Sequence, residues 1–355
     1  GNAKTAGKPP GMNDEFYIRR CFELARLGEG FVSPNPMVGA VLVHEDKILG
    51  EGWHPKFGAA HAEVECIRSV SPQNQALIPE STLYCNLEPC AHFGKTPPCA
   101  DLIVAQKIRR VVVSNTDPNP LVAGKGLAKL RAAGVEVQAG ILEAEGRWLN
   151  RAFFTWIEQN RPFIVLKWAQ TTDGFLGKKN LRTPISSPQA LRLVHRWRAA
   201  CDAILVGTNT AVTDNPRLDL RYYFGKNPLR IAFDRHGIIP ASHYLLDGSS
   251  ETWIFGPSSK KPAQNLHFFP AMQDELIPEL LQELKQHNRA VMLVEGGAKL
   301  LQRLLDTELW DEIRILENSR SLGAGIHAPE IPEDAVLQTH FIVGEDSVRI
   351  FARRS

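Results

Sequence analysis

The sequence predicts an α/β fold divided between two domains. Three observations support this: the chain length, a repeated alternation of helical and strand patterns, and one proline-containing break near the middle. At 355 residues the chain exceeds one ordinary compact core, so two domains are the default. The segment Gln159-Asn160-Arg161-Pro162 separates the two alternating halves and predicts domains at 12–159 and 160–355.

The first half alternates helical periodicity with short apolar runs. The polar turn HEDK joins the first two strands, and the β-branched run at 111–114 is typical of a strand buried on both faces. The predicted helices are 13–28, 61–70, 98–105, 126–133 and 142–158. The predicted strands are 37–43, 48–53, 81–87, 111–114 and 135–138. Residues 1–11, before Met12, are expected to form a flexible leader outside the fold.

The second half continues the alternation with a fresh set of units. The predicted strands are 163–168, 203–207, 230–233, 252–255, 290–294, 312–316, 337–343 and 347–352. The predicted helices are 188–198, 275–286 and one that follows Glu295-Gly296-Gly297 as far as Leu305. This order predicts a mostly parallel sheet that ends in an antiparallel pair.

Composition places the chain among globular proteins and excludes several classes. It has 43% hydrophobic and 23% charged residues. The net charge of +2 produces too weak an electrostatic field to attract nucleic acid or membrane surfaces. No apolar run reaches membrane-spanning length, and no secretory segment precedes the fold. Six irregularly spaced cysteines favour reduced thiols plus a metal site over a disulfide framework. We therefore expect a cytoplasmic protein.

The most informative motif combines His61-Ala62-Glu63 with Pro89-Cys90 and Cys99. One histidine and two cysteines make a three-ligand zinc site that leaves a fourth position for water, whose pKa zinc lowers. Glu63 is placed to carry protons without binding the metal, and His-x-Glu followed by Pro-Cys is typical of zinc-dependent base deaminases. The helix pattern puts His61 and Glu63 at one helix start and the cysteines around another.

A purely structural zinc site is the alternative interpretation. Such sites normally have four protein ligands, and His92 is a candidate for the fourth. That interpretation leaves Glu63 without a role. Taken singly, each residue of the motif would fit an ordinary surface histidine or a buried cysteine.

Several longer segments indicate which family of deaminases the chain resembles. The usual Cys-x-x-Cys is replaced here by two cysteines with eight residues between them. From Met12 to Ser355, the chain resembles the bifunctional deaminase-reductases of riboflavin biosynthesis. The matching segments in the first half are Pro34 to Gly39 (PNPMVG), His61-Ala62-Glu63, Leu87 to Cys90 (LEPC), Gly94 to Cys99 (GKTPPC), and DPNP with VAGKG between Asp117 and Gly126. Simple cytidine and tRNA deaminases lack the Asp-Pro-Asn-Pro segment.

The resemblance implies a cytidine-deaminase-like three-layer domain followed by a dihydrofolate-reductase-like α/β domain. It implies one zinc per chain and NADPH as cofactors. The implied substrate is a phosphorylated pyrimidine, 2,5-diamino-6-ribosylamino-4(3H)-pyrimidinone 5′-phosphate, which is deaminated and whose ribosyl group is then reduced to ribityl. Asn35 is a candidate to hydrogen-bond the ring, although it could equally stabilise the Pro-Asn-Pro turn.

In the second half the resemblance rests on KWAQTTDG (167–174), Ser187-Pro188, Arg198, 207–221 and Glu295-Gly296-Gly297. Glycines at a strand-helix junction can form a dinucleotide phosphate site, or only a tight turn. Guanidinium groups bind phosphate in a bidentate way, although solvated surface arginines are the alternative. By resemblance, the expected NADPH contacts are Ala169, Thr210, Asp214 and Gly297. The expected substrate contacts are Arg198, Leu218, Arg221 and Glu295.

The chain departs from the family pattern at a few positions. Pro184-Ile185-Ser186 stands where Trp-Ile-Thr is usual, and KKNLRTP (178–184) replaces a glycine- and serine-rich segment, so Arg182 is a candidate for a substituted contact. Near the metal motif, Cys85-Asn86 and Phe93 replace Val-Thr and a second histidine. The alternative function is a deaminase with a degenerate, non-catalytic nucleotide-binding C-terminal domain. A homo-oligomer is expected in either case.

Overall fold

The computed structural model describes residues 12–92, 97–257, 263–272 and 274–354. The chain divides into two compact units, Gly1–Asn160 and Arg161–Ser355. The predicted leader, residues 1–11, and the departure at Phe93 lie outside the described residues.

The first unit is built on a five-stranded mixed sheet with strand order β2-β1-β3-β4-β5. The strands are β1 (Gly39–His44), β2 (Lys47–Trp53), β3 (Thr82–Leu87), β4 (Arg110–Asn115) and β5 (Glu136–Gln138). Strand β1 runs antiparallel to β2 and β3, whereas β3, β4 and β5 are parallel. The sharp turn between β1 and β2 lies at the predicted HEDK, where Glu45 and Asp46 both have positive φ.

Helices cover both faces of this sheet. They are α1 (Met12–Ala25), α2 (Ala62–Arg68), α3 (Cys99–Ala105), α4 (Lys125–Ala132), α5 (Glu143–Leu149) and α6 (Arg151–Glu158). On one face, Leu83 and Val113 pack with residues of α2, α3 and α4. On the other face, Val41 and Val112 pack with residues of α1 and with Leu149 of α5. The predicted three-layer arrangement is confirmed.

The predicted continuous helix over 142–158 is wrong. The chain leaves helical geometry at Asn150, where φ is −100° and ψ is 23°. The Asn150 side chain is 3% exposed and makes two hydrogen bonds to the backbone of Met37. These contacts hold Asn150 at the junction of two shorter helices, which local periodicity does not reveal.

The second unit contains a nine-stranded sheet with strand order β11-β10-β9-β8-β12-β6-β13-β16-β15. A separate two-stranded sheet contains β7 and β14. The strands of both sheets are β6 (Phe163–Thr171), β7 (Phe175–Gly177), β8 (Ala203–Val206), β9 (Leu229–Phe233), β10 (Thr252–Gly256), β11 (Leu266–Pro270), β12 (Val291–Val294), β13 (Glu312–Asn318), β14 (Ile326–His327), β15 (Ala335–Val343) and β16 (Asp346–Arg353). The first seven strands in this order, from β11 at the edge to β13, are parallel to one another. Strand β16 then pairs antiparallel with both β13 and β15. The predicted mostly parallel sheet with a terminal antiparallel pair is confirmed.

The helices of the second unit are α7 (Pro188–Ala199), α8 (Thr208–Asp214), α9 (Leu276–Gln286) and α10 (Ala298–Asp306). The core packs Trp253 and Phe255 of the sheet with Leu280 of α9 and Leu301 of α10. Helix α8 was not predicted because its sequence, TNTAVTD, lacks apolar periodicity. Among the described residues, no helix is long and apolar enough to cross a membrane.

Two helices start directly after parallel strands. Helix α8 follows β8, and α10 follows β12 after Glu295-Gly296-Gly297. Because β8 and β12 are neighbours in the sheet, both helices begin at the same sheet edge. The carboxyl edge of a parallel sheet is where α/β proteins bind their ligands.

Candidate active sites

The first unit brings the predicted metal ligands together. His61 is the N-cap residue of α2, Cys90 follows β3, and Cys99 is the first residue of α3. Their ligand atoms all lie within 4.8 Å of one another. The His61 Nδ1 atom is 3.3 Å from the Cys99 Sγ atom and 3.6 Å from the Cys90 Sγ atom.

The chemistry of this group fits zinc. One nitrogen and two sulfur ligands form a typical donor set, and three protein ligands leave one position open. Hydrogen bonds from the Cys99 thiol and the His61 ring lower the pKa of Cys90 to about 4. A thiol that ionises readily suits metal binding, because the thiolate is the ligand. Within the described part of the chain, His92 is not a member of the group, so the four-ligand alternative gains no support.

Glu63 lies in the first turn of α2, two residues after His61. It is 3% exposed, and burial raises the pKa of its carboxyl, which also contacts the Cys99 thiol. A buried carboxyl with a raised pKa is better suited than an exposed one to accept a proton and to return it. The position beside the ligand group therefore matches the predicted role in proton transfer.

His54 connects Asn35 to the metal-ligand group, because it hydrogen-bonds Asn35 and lies beside His61. The sequence did not predict a role for His54. The His54 Nδ1 atom lies 3.0 Å from the carbonyl oxygen of Ala60, which can only accept, so Nδ1 carries the proton. The Nε2 atom then accepts from the Asn35 amide nitrogen at 3.2 Å. This leaves the Asn35 Oδ1 atom as an acceptor, and the His54 and His61 ring centroids are 5.7 Å apart.

Two buried asparagines fix the backbone that carries Asn35. The Asn150 amide both accepts from Met37 N–H and donates to Met37 C=O, each at 2.8 Å. Asn86, one of the departures from the family pattern, donates to Met37 C=O at 3.0 Å and accepts from Gly39 N–H at 2.7 Å. The Pro34–Gly39 segment is therefore held from both sides.

Glu88 organises the segment that contains Asp-Pro-Asn-Pro. Its carboxylate is 6% exposed and accepts four backbone N–H bonds, two to each oxygen. The donors are the backbone N–H groups of Asp117 (3.1 Å), Gly124 (3.0 Å), Gly126 (2.8 Å) and Leu127 (3.3 Å). Because Glu88 lies two residues before Cys90, one short stretch positions both a metal ligand and this loop.

In the second unit, a charged network surrounds Glu295. Arg198 donates to both Glu295 carboxylate oxygens, each at 2.7 Å. The Lys167 Nζ atom lies 3.8 Å from the same carboxylate. Although burial raises the pKa of Glu295, the charges of Arg198 and Lys167 lower it to about 2. Glu295 is therefore an ionised acceptor at neutral pH, and Lys167 is a partner that sequence reasoning missed.

Leu218 and Arg221 lie in the segment between α8 and β9, which has no regular secondary structure. Leu218 is 2% exposed and adopts a positive φ of 53°, so its side chain is part of the core. The Arg221 side chain is 42% exposed, and its nearest acidic partner is Asp219 at 3.4 Å. Arg198 also donates to the Asp219 carbonyl at 3.1 Å, which ties this segment to the Glu295 network.

The glycines after β12 form a close approach to α8. Gly296 and Gly297 have φ values of 132° and 90°, which favour glycine. A Cβ atom at either position would lie 3.6 Å from the Thr210 Oγ1 atom, and one at Gly297 would lie 3.7 Å from the Gly207 Cα atom. Thr210 and Gly297, both predicted to contact NADPH, therefore lie next to each other at the carboxyl edge of the sheet.

The other two predicted cofactor residues lie on neighbouring elements. Ala169 is in β6, opposite Leu316 of β13. Asp214 ends α8, where burial raises the pKa of its carboxyl and the charge of Arg182 opposes that effect. The altered segment 178–184 thus brings a cation close to a predicted cofactor residue.

Comparisons with known proteins match both halves of the chain. Residues 12–115 match the family described as the cytidine and deoxycytidylate deaminase zinc-binding region. Residues 162–345 match the family described as the RibD C-terminal domain. The riboflavin biosynthesis protein RibD of Aquifex aeolicus is 36% identical over 354 residues, covering 96% of this chain and 98% of the relative. The Escherichia coli RibD is 33% identical, with 88% and 89% covered.

Solved structures agree with these matches. The deaminase/reductase from Thermotoga maritima has a TM-score of 0.88 at 32% identity, covering 96% of this chain and 98% of that chain. Form 1 of Acinetobacter baumannii RibD has a TM-score of 0.86 at 32% identity, covering 96% and 99%.

The fold, the group of metal ligands and the matched families together define a zinc-binding deaminase joined to an NADPH-dependent reductase in one polypeptide. More particularly, the chain belongs to the RibD family of riboflavin biosynthesis proteins, and it is a bifunctional enzyme. The alternative of a degenerate C-terminal domain is not favoured, because the RibD C-terminal match extends over nearly the whole second unit.

Proposed function

We propose that the first unit hydrolyses the 2-amino group of 2,5-diamino-6-ribosylamino-4(3H)-pyrimidinone 5′-phosphate, and that the second unit reduces the ribosyl group of the product to ribityl. The observation that carries the first step is the His61, Cys90 and Cys99 group with buried Glu63 beside it. The similar protein from Thermotoga maritima is a diaminohydroxyphosphoribosylaminopyrimidine deaminase/5-amino-6-(5-phosphoribosylamino)uracil reductase, which supports both steps.

Deamination replaces an amino group on a ring carbon by oxygen, with water consumed and ammonia released. Zinc, when bound, lowers the pKa of a water molecule so that it attacks at neutral pH. Glu63 accepts the proton from the attacking water and returns it to the departing nitrogen. Burial suits this carboxyl to both roles, because it stabilises the protonated form that follows the first transfer.

Asn35 orients the ring in this proposal. Its amide nitrogen donates one of its two hydrogens to His54, and in this orientation the Oδ1 atom accepts a hydrogen bond from an N–H donor on the substrate. The clamps from Asn86 and Asn150 keep this acceptor in place, which reduces the ordering cost on binding.

Reduction requires both the cofactor and the sugar phosphate at the carboxyl edge of the second sheet. NADPH supplies the reducing equivalent. Gly297, Thr210, Asp214 and Ala169 hold the cofactor, and Gly297 lies beside Thr210 at the start of α10. Ionised Glu295 accepts from sugar hydroxyls, and Leu218 lines the pocket through its backbone. Arg198 already donates to Glu295 and to the Asp219 carbonyl, so the more exposed Arg221 provides the principal cation for the 5′-phosphate.

Replacing Arg221 with Ala tests whether Arg221 binds the substrate phosphate and not the cofactor. A charge-assisted hydrogen bond contributes roughly 1.5–3 kcal/mol, so the KM of reduction should rise roughly 10- to 100-fold. The KM for NADPH and the rate of deamination should stay near wild type, as measured by NADPH absorbance and ammonia release.

Arg217→Ala is the matched control, because Arg217 lies four residues away and stacks on Tyr244. It should leave the reduction KM unchanged. If Arg221→Ala weakens NADPH and spares the substrate, Arg221 recognises the cofactor and the proposed division is wrong.

The domain boundary is a further proposal. Each unit has its own hydrophobic core, so fragments 12–159 and 160–355 should each unfold cooperatively. The first should deaminate, and the second should reduce the deaminated intermediate. Absence of a cooperative transition in both fragments would show that the halves depend on each other. The homo-oligomeric state and the cytoplasmic location stay predictions.

A further inference from the structure

His195 is a buried residue of α7 that none of the roles above uses. It is 2% exposed and lies three residues before Arg198, one helical turn away on the same face. Its ring packs edge-on against Tyr222, with centroids 4.8 Å apart. It therefore lies between the Glu295 network and the segment that carries Arg221.

The hydrogen bonds of the ring fix its tautomer. The His195 Nδ1 atom faces the backbone N–H of Arg221 at 3.0 Å and that of Tyr222 at 3.4 Å. Both are donors, so Nδ1 must be the acceptor and the proton must lie on Nε2. The Nε2 atom is 3.4 Å from the Arg198 guanidinium, which also only donates, so that contact is not a hydrogen bond in this tautomer.

The surroundings keep the ring neutral. Burial, together with the charges of Arg198 and Arg221, lowers the pKa of His195 to about 4, although Glu295 and Asp219 act in the opposite direction. A proton on Nδ1 would also meet the two backbone N–H donors. The ring is therefore a fixed acceptor throughout the pH range in which the enzyme would be assayed.

Side-chain contacts, and not regular secondary structure, hold the Arg221 segment in place. Residues 215–228 contain no helix or strand. Near Arg221, the Leu220 N–H donates to Asn227 at 3.1 Å, and Arg198 donates to the Asp219 carbonyl at 3.1 Å. The backbone N–H of Arg221 itself has His195 as its partner. The position of this arginine along the pocket thus depends directly on the imidazole.

We propose that His195 is a positioning residue of the reductase site, which holds the Arg221 backbone so that its guanidinium reaches the substrate 5′-phosphate. The inference rests on the proposed phosphate-binding role of Arg221. His195 itself does not contact the substrate, and its contribution is a neutral acceptor at Nδ1.

His195→Leu removes the acceptor and keeps much of the volume. The KM of reduction should rise about tenfold, since the Arg221 backbone N–H loses its partner and the arginine loses its fixed position. The KM for NADPH and the deamination rate of the same protein should not change. His195→Asn places an oxygen near the Nδ1 position and should restore a near-wild-type KM, whereas His195→Gln places it near Nε2 and should not.

A double-mutant cycle separates positioning from general destabilisation. In the Arg221→Ala background, His195→Leu should cause no further rise in KM, because the group it positions is absent. Equal, additive effects in both backgrounds would overturn the proposal. If His195→Leu fails to fold, as shown by loss of the melting transition of the second unit, the Asn and Gln variants decide, and equal KM values for them contradict it. If Arg221→Ala itself leaves the KM unchanged, the phosphate role fails first and this inference falls with it.

Discussion

Replacing Glu63 with Gln is expected to reduce deamination by at least ~10²–10⁴-fold, the range typical of a lost general acid–base. Glutamine keeps the shape and the hydrogen-bonding capacity of the side chain but cannot carry a proton between water and the leaving amine. Zinc content should stay at one per chain, because Glu63 is not among the ligands. Ammonia release and elemental analysis on the same preparation measure both quantities.

Glu65→Gln is the matched control for this experiment. Glu65 lies in the same helix, pairs with Arg68 at 3.0 Å and has a side chain that is 39% exposed. It should deaminate at the wild-type rate, and both variants should reduce the deaminated intermediate normally. Near-normal deamination by Glu63→Gln would overturn the proposed proton transfer.

Replacing Cys99 with Ala should remove zinc and deamination together. The substitution deletes one of two thiolate ligands, and a metal site with a nitrogen and a single sulfur loses most of its affinity. The first unit should also melt at a lower temperature, since bound metal stabilises the folded state. Reduction by the second unit should continue, because its core is separate.

Cys85→Ala provides the comparison for Cys99→Ala. Cys85 is also fully buried in the first unit but does not belong to the ligand group. It should retain zinc and activity with only a modest loss of stability from the smaller side chain. Full zinc occupancy in Cys99→Ala would show that the ligand assignment is wrong.

Much of the architecture follows from local patterns in the sequence. Apolar runs of three or four residues predicted β3, β4 and β8, and these strands are buried on both faces. The turn HEDK was predictable because its polar residues separate two strand patterns, and positive φ at Glu45 and Asp46 gives it the geometry of a tight hairpin. The alternation of such runs with helical periodicity then predicts a parallel sheet.

The failures occur where long-range contacts override local preference. Asn150 interrupts an otherwise helical stretch because its amide pairs with Met37, which is 113 residues away in the sequence. Helix α8 forms although its own periodicity is weak, because it follows β8 and contacts β9. Neither contact leaves a signal within a window of ten or fifteen residues.

Some residues of the candidate sites could likewise be predicted from the sequence, and others could not. Residues at fixed spacing, such as His61, Cys90 and Cys99, are recognisable because the metal dictates their types. His54, Glu88 and Lys167 are not, because each acts through a partner that only the fold supplies. A buried histidine with two backbone donors, such as His195, looks like any core residue until its neighbours are known.

The most direct test supplies the diaminopyrimidinone nucleotide to the intact enzyme, with and without NADPH, and identifies the products by mass spectrometry. Without NADPH, the deaminated compound that still carries its ribosyl group should accumulate. With NADPH, that compound should be converted to the ribityl product, with one NADPH consumed per molecule. Accumulation of the ribosyl compound in both reactions, with no NADPH consumed, would contradict a functional reductase in this chain.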